Sequence, residues 1–92
     1  TEIPEYTENI PEEWREFFSL LTKEEKTVLT LVARGMDTQE TIKKYGGMLK
    51  GFADSINEKA YDAYGDIIIE DVGRRLEFIE DYRDELTHIF ML

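Results

Sequence analysis

The hydrophobic period of this sequence changes at Gly65, and that change limits the fold more than any other feature. Upstream, apolar residues return every three or four positions: Trp14, Phe17, Phe18 and Leu21, then Val28, Leu29, Leu31 and Val32, then Leu49, Phe52, Ala53, Ile56, Ala60 and Tyr64. That spacing places each set on one face of a helix. Downstream, Ile67, Ile68 and Ile69 form a β-branched run, and Leu76 and Phe78 alternate with Glu77, which is the period of a strand. The expected fold is mainly α with one small β-hairpin, its strands near residues 67–70 and 75–79 and its turn at residues 71–73.

Local punctuation agrees with this division. Pro11 suits a first helical position, and Glu12 and Glu13 suit the positive end of the helix dipole. Thr22 followed by Glu25 is a capping-box signature, and Gly35 supplies the stop. Asp37 with Glu40 reads as a second box, opening a short helix through Ile42 and Tyr45 that Gly46 and Gly47 end. Gly65 holds the position of a left-handed cap, and Asp81 is placed to cap a last helix presenting Leu86, Ile89 and Phe90. Three helices followed by a hairpin give a winged-helix-like three-helix core with flanking helices. Leu29, Val32, Ile42, Phe52, Ile56, Ala60, Ile68 and Phe78 are its expected core. Trp14, Phe17 and Phe18 read as core, or else as a docking face shared with Phe90 and Leu92.

A chain of 92 residues has room for one domain. Residues 1–10, with Pro4 and three scattered glutamates, read as an extended approach segment, and residues 11–92 as the domain. The start at Thr1 suggests one part of a larger protein. The net charge of −10 repels nucleic acid and anionic membranes at long range. Lys43, Lys44, Lys50, Arg74 and Arg75 are the candidates for a local basic patch. Without cysteine there is no disulfide framework and no thiolate metal site, so a reducing cytoplasm is the expected setting. No apolar run approaches the roughly 20 residues of a membrane span.

Chemistry-bearing arrangements are few. Asp54, Glu58 and Asp62 stand four residues apart on the long helix, with Asp66 just beyond its end, so their carboxylates line one ridge. If Glu58, Asp62 and Asp66 meet Glu70 and Asp71 after folding, they offer an oxygen-only set suited to calcium or magnesium, with weak affinity because no EF-hand spacing is present. If they diverge, the ridge is a solvated face able to receive a basic partner. His88 has no second ligand, Ser19 and Ser55 have no companion base, and there is no phosphate-cradling glycine loop. No enzymatic activity is expected.

The run Ile56, Asn57, Glu58, Ala60, Tyr61, Asp62, Tyr64, Gly65, Asp66, Ile68, Ile69, Glu70 and Asp71 resembles the TerB-C domain, found at the C-terminus of bacterial proteins carrying the tellurite-resistance TerB domain. The resemblance spans residues 20–90 and is faint before Gly46. Val72, Gly73, Arg74 and Arg75 make a more basic turn than the resemblance implies, and Lys59 stands where it implies an aromatic residue. It implies a non-enzymatic interaction or regulatory module of a multidomain stress-response protein. Because TerB domains are associated with acidic metal-binding positions, it also draws attention to Asn57, Glu58, Asp62, Asp66, Glu70 and Asp71. The same residues have a structural alternative, in which Asn57 bonds a loop backbone and Asp66 caps the helix-to-strand junction. Asn57, Asp54, Arg74 and Arg75 are candidates for contact with a partner domain or protein. The competing function is a winged-helix DNA-binding domain with Arg74 and Arg75 at the wing tip.

Overall fold

The computed structural model describes residues 10–91. They form α1 (Glu12–Leu20), α2 (Lys23–Ala33), α3 (Gln39–Lys44), α4 (Leu49–Tyr64), β1 (Ile69–Val72), β2 (Arg75–Phe78) and α5 (Glu80–Phe90). The domain is thus mostly helical with one antiparallel hairpin, an order of elements compatible with a winged helix. Of residues 1–10, Ile10 is buried in the core and the others lie outside the described residues, as does Leu92.

α4 is the central element. It packs against α1 on one side and β1 on another, while α2 packs against α5 and reaches β2. Trp14 and Phe17 from α1, Val28 and Leu29 from α2, Ile42 from α3, Ala53, Ile56 and Ala60 from α4, Ile68, Ile69, Leu76 and Phe78 around the hairpin, and Leu86, Ile89 and Phe90 from α5 are all buried in one cluster. Val32 and Phe52 are only half-buried against it, contrary to the expectation that both lie in the core. Phe52 faces the loop before α4, where its ring rests against Gly47; a Cβ added there would meet the ring at 2.7 Å.

Helix ends follow the sequence in part. The Thr22 box is formed in full: Thr22 Oγ1 accepts from the Glu25 N–H, and Glu25 Oε1 accepts from the Thr22 N–H. Gly65 closes α4 at φ 100°, a left-handed conformation that costs a residue with a Cβ far more. The Asp37–Glu40 box does not form. Asp37 Oδ1 accepts from the Gln39 N–H two residues on, a local turn that competes with a cap, and α3 starts at Gln39. Nor does Asp81 cap α5, which begins at Glu80 and takes Asp81 into its first turn, where the helix dipole favours it.

The hairpin register pairs Ile69 with Phe78, Glu70 with Glu77, Asp71 with Leu76 and Val72 with Arg75. Gly73 and Arg74 form a two-residue connection, with positive φ at Gly73 alone, as a type II′ turn requires. The first strand begins two residues later than the β-branched run suggests. The Asp66 carboxylate takes the Ile67 N–H and the Asn57 side chain takes those of Ile68 and Ile69, so this stretch is bound to side chains before ladder pairing starts.

Candidate functional site

The acidic residues of α4 point outward. Asp54, Glu58 and Asp62 are all exposed, and the Asp54 carboxylate stands 3.4 Å from the Lys50 Nζ. Asp66 turns away from them: its Oδ1 accepts from the Ile67 N–H and its Oδ2 from the Tyr82 hydroxyl at 2.5 Å. Glu70 and Asp71 are exposed on β1, across from Glu77 and Leu76. Among the described residues, no three acidic or histidine side chains stand close enough to share an ion. Arg74 lies in the hairpin turn and Arg75 opens β2, where its Nε lies 3.7 Å from a Glu77 oxygen.

Asn57 is occupied by backbone. Its Oδ1 accepts from the N–H groups of Ile68 and Ile69 at 2.9 and 3.1 Å, and its Nδ2 donates to the Ile69 carbonyl at 2.8 Å. The amide side chain therefore pairs with the start of β1 as a neighbouring strand would, which fixes the helix-to-strand corner and covers that edge of the hairpin at Ile69.

Tyr82 sits in an aromatic corner at the same junction. Trp14 and Tyr64 stack with centroids 3.9 Å apart, and Tyr82 meets both rings edge-on. The hydrogen bond to the Asp66 carboxylate, then partial burial, push the Tyr82 hydroxyl up to about 12, because ionisation would set two anions side by side. Trp14 Nε1 is buried without a hydrogen-bond partner among the described residues.

The least expected site centres on Glu25. Burial by itself would raise its carboxyl, yet bonds from Lys59, Ser55 and the Thr22 backbone outweigh burial and hold it below the ordinary glutamate value. Lys59 Nζ donates to Oε1 and Ser55 Oγ to Oε2, each at 2.6 Å, so one carboxylate both caps α2 and fastens it to α4. Sequence reasoning found the cap and missed the two distant donors. The available signal was that Ser55 and Lys59 stand four apart, on one face of α4, where a donor pair can meet a single acceptor.

This carboxylate underlies a groove of about 400 Å³ bounded by Thr22, Glu24, Tyr45, Gly47, Met48, Gly51, Phe52 and Ser55. Met48 is 76% exposed and Tyr45 40% exposed, so an apolar rim surrounds an acidic floor. Two glycines line it: the Phe52 ring lies against the Gly47 backbone, and Gly51 faces open space, where an added Cβ meets nothing within 4 Å. With its acceptors occupied and its proton lost at neutral pH, Glu25 is poorly suited to proton transfer. The groove is better suited to binding.

No helix among the described residues is long and apolar enough to cross a membrane. No curated protein and no solved structure gives a significant match to the chain. The sequence does match the TerB-C domain over residues 2–87 of its 92, well beyond the span carried by the α4-to-β1 motif. The corner built by Asn57, Gly65 and Asp66 thus lies within a match covering nearly the whole chain, which belongs to the TerB-C domain family.

Proposed function

We propose that this TerB-C domain is a non-catalytic interaction module of a tellurite-resistance-type bacterial stress-response protein, acting in the cytoplasm, and that its groove receives a partner surface combining apolar and basic side chains. The observation that carries the reading is the exposed Met48 and Tyr45 above the buried Glu25 carboxylate. An exposed apolar rim is a recognised mark of a binding surface. Glu24 at the wall, within a chain of net charge −10, selects a partner of opposite sign, while the Glu25 charge is already met by Lys59. The acidic ridge of Asp54, Glu58 and Asp62 adds to that selection by long-range attraction and serves as a solvated face. Among the described residues no gathered ligand set supports a calcium or magnesium site there.

DNA binding as a winged helix is the competing reading. It would bring α4 into a groove with Asp54, Glu58 and Asp62 turned towards phosphates, which Lys50 alone cannot offset.

Fluorescence anisotropy with an amphipathic lysine–leucine peptide, its glutamate–leucine counterpart and random duplex DNA at low salt tests both. The basic peptide should bind, and Met48→Ser should weaken it at least about tenfold, or about 1.4 kcal/mol. Binding indifferent to Met48→Ser would reduce the interaction to net charge and remove the groove from it. Salt-sensitive duplex binding tighter than micromolar would favour the winged-helix reading instead.

A further inference from the structure

The two edges of the hairpin are treated differently. Ile79 N–H donates to the Ile68 carbonyl at 2.8 Å, which sets the phase of the ladder: Glu70 with Glu77 and Val72 with Arg75 are the bonded pairs. The peptide groups of Ile69 and Asp71 on one strand, and of Leu76 and Phe78 on the other, therefore point away from the hairpin. On β1, the Asn57 side chain engages both the N–H and the carbonyl of Ile69, so that edge is covered at its start, while no hydrogen bond among the described residues engages the outward groups of Asp71. On β2, no hydrogen bond among the described residues engages the outward groups of Leu76 and Phe78. An edge left with free donors and acceptors is a template for another strand unless something covers it.

What lies beside that edge is a cleft of about 300 Å³. All four consecutive residues of β2 line it, so it runs along the strand's edge and not over one face. Val32, Ala33 and Met36 form its far wall, with Arg83 and Thr87 of α5 at one end. At the other end it adjoins a second cavity at the hairpin tip, lined by Arg74, Arg75 and Val72, and the two share Gly35 and Arg75. Arg75 and Arg83 thus stand along the channel in a chain that is otherwise strongly acidic. Glu77 and Asp37 also line these cavities: Glu77 stands 3.7 Å from Arg75, so a partner carboxylate would share that arginine with it, and Asp37 accepts from the Gln39 N–H.

We propose that the free edge of β2 is a strand-addition site for an extended acidic segment of a partner protein, its backbone pairing with Leu76 and Phe78 and its carboxylates meeting Arg75 and Arg83. Backbone pairing would supply affinity, and the arginines would supply selection by charge. The site is separate from the Met48 groove and favours a partner of opposite charge, so either reading can fail while the other stands.

The test is NMR titration of the intact chain with a capped peptide of alternating valine and glutamate. In the free protein the Leu76 and Phe78 amides should exchange readily while that of Glu77 is protected. Peptide addition should shift and protect both, and Arg83→Gln should weaken binding several-fold. The same peptide N-methylated at its pairing positions keeps its side chains and charge but loses its donors, and it should not bind. The proposal is overturned if the N-methylated peptide binds equally well or the shifts map away from β2. It is equally overturned if the Leu76 and Phe78 amides are already protected in a concentration-dependent dimer, or if duplex DNA shifts the same amides as strongly as the peptide does.

Discussion

Lys59 and Glu25, thirty-four positions apart, meet with Nζ 2.6 Å from Oε1, on a carboxylate that also completes the cap of α2. Local capping and long-range fastening thus share one side chain. Glu25→Ala should remove both, costing about 2–3 kcal/mol from a lost cap and two orphaned donors. Lys59→Met keeps the cap and should cost about 1 kcal/mol, since Lys59 is partly exposed and its pairing is correspondingly screened. Denaturant unfolding of the two single variants and the double variant measures the coupling, and additive losses would show that the contact contributes nothing beyond the cap.

The same carboxylate makes stability depend on pH in a defined direction. Because Glu25 is held below its ordinary value in the folded state, its contribution is complete above the unfolded glutamate value and is lost as pH falls through the lowered folded value. Melting temperatures below neutrality should fall less steeply in Glu25→Gln than in the natural sequence.

Asn57 should tolerate neither truncation nor isosteric charge. Asn57→Ala leaves three backbone groups of Ile68 and Ile69 without their partner and should cost about 2–3 kcal/mol. Asn57→Asp keeps the acceptor but loses the donor and sets a carboxylate against the Ile69 carbonyl, so it should also destabilise. Hydrogen exchange at the Ile68 and Ile69 amides should rise first in Asn57→Ala, before global unfolding; unchanged protection there would refute the edge-closing role.

Tyr82 should ionise near pH 12 in the folded protein. A raised folded value means that its stabilising contribution is present below the unfolded tyrosine value and is lost as pH rises towards 12. The difference between the spectrophotometric titrations of the natural chain and Tyr82→Phe isolates this group. Asp66→Asn should bring its transition down towards that of an ordinary tyrosine.

Thermal melts with calcium, magnesium and sodium chloride at matched ionic strength should give equal shifts, as expected for screening of a solvated acidic face. A shift specific to one divalent ion and absent in Asp62→Asn would instead establish a site on α4.

The division at Gly65, the Thr22 box and the Trp14–Phe17 face were legible in the sequence because each is set by neighbours a few residues away. Phe52 was misplaced because helical spacing gives a face but cannot say whether a neighbouring loop covers all of it. The Asp37–Glu40 spacing fits a cap, but a shorter-range bond to Gln39 was available and displaced it. The spacing of Ser55 and Lys59 puts two donors on one face, but it does not identify Glu25 as their acceptor, because only the packing of the chain brings α2 to them. The difference between the hairpin edges was equally hidden: it depends on the ladder's phase and on where α4 delivers Asn57.

The stacking of Trp14 on Tyr64 gives the domain an internal gauge. Trp14 is the only indole in the chain, and it bridges the first helix and the end of the central one. With its ring nitrogen buried and without a hydrogen-bond partner among the described residues, its emission should lie to the blue and be quenched by the adjacent phenol. Any ligand that loosens α1 from α4 would therefore announce itself as a brighter, red-shifted signal without a label being attached, while a ligand confined to β2 would leave the colour unchanged.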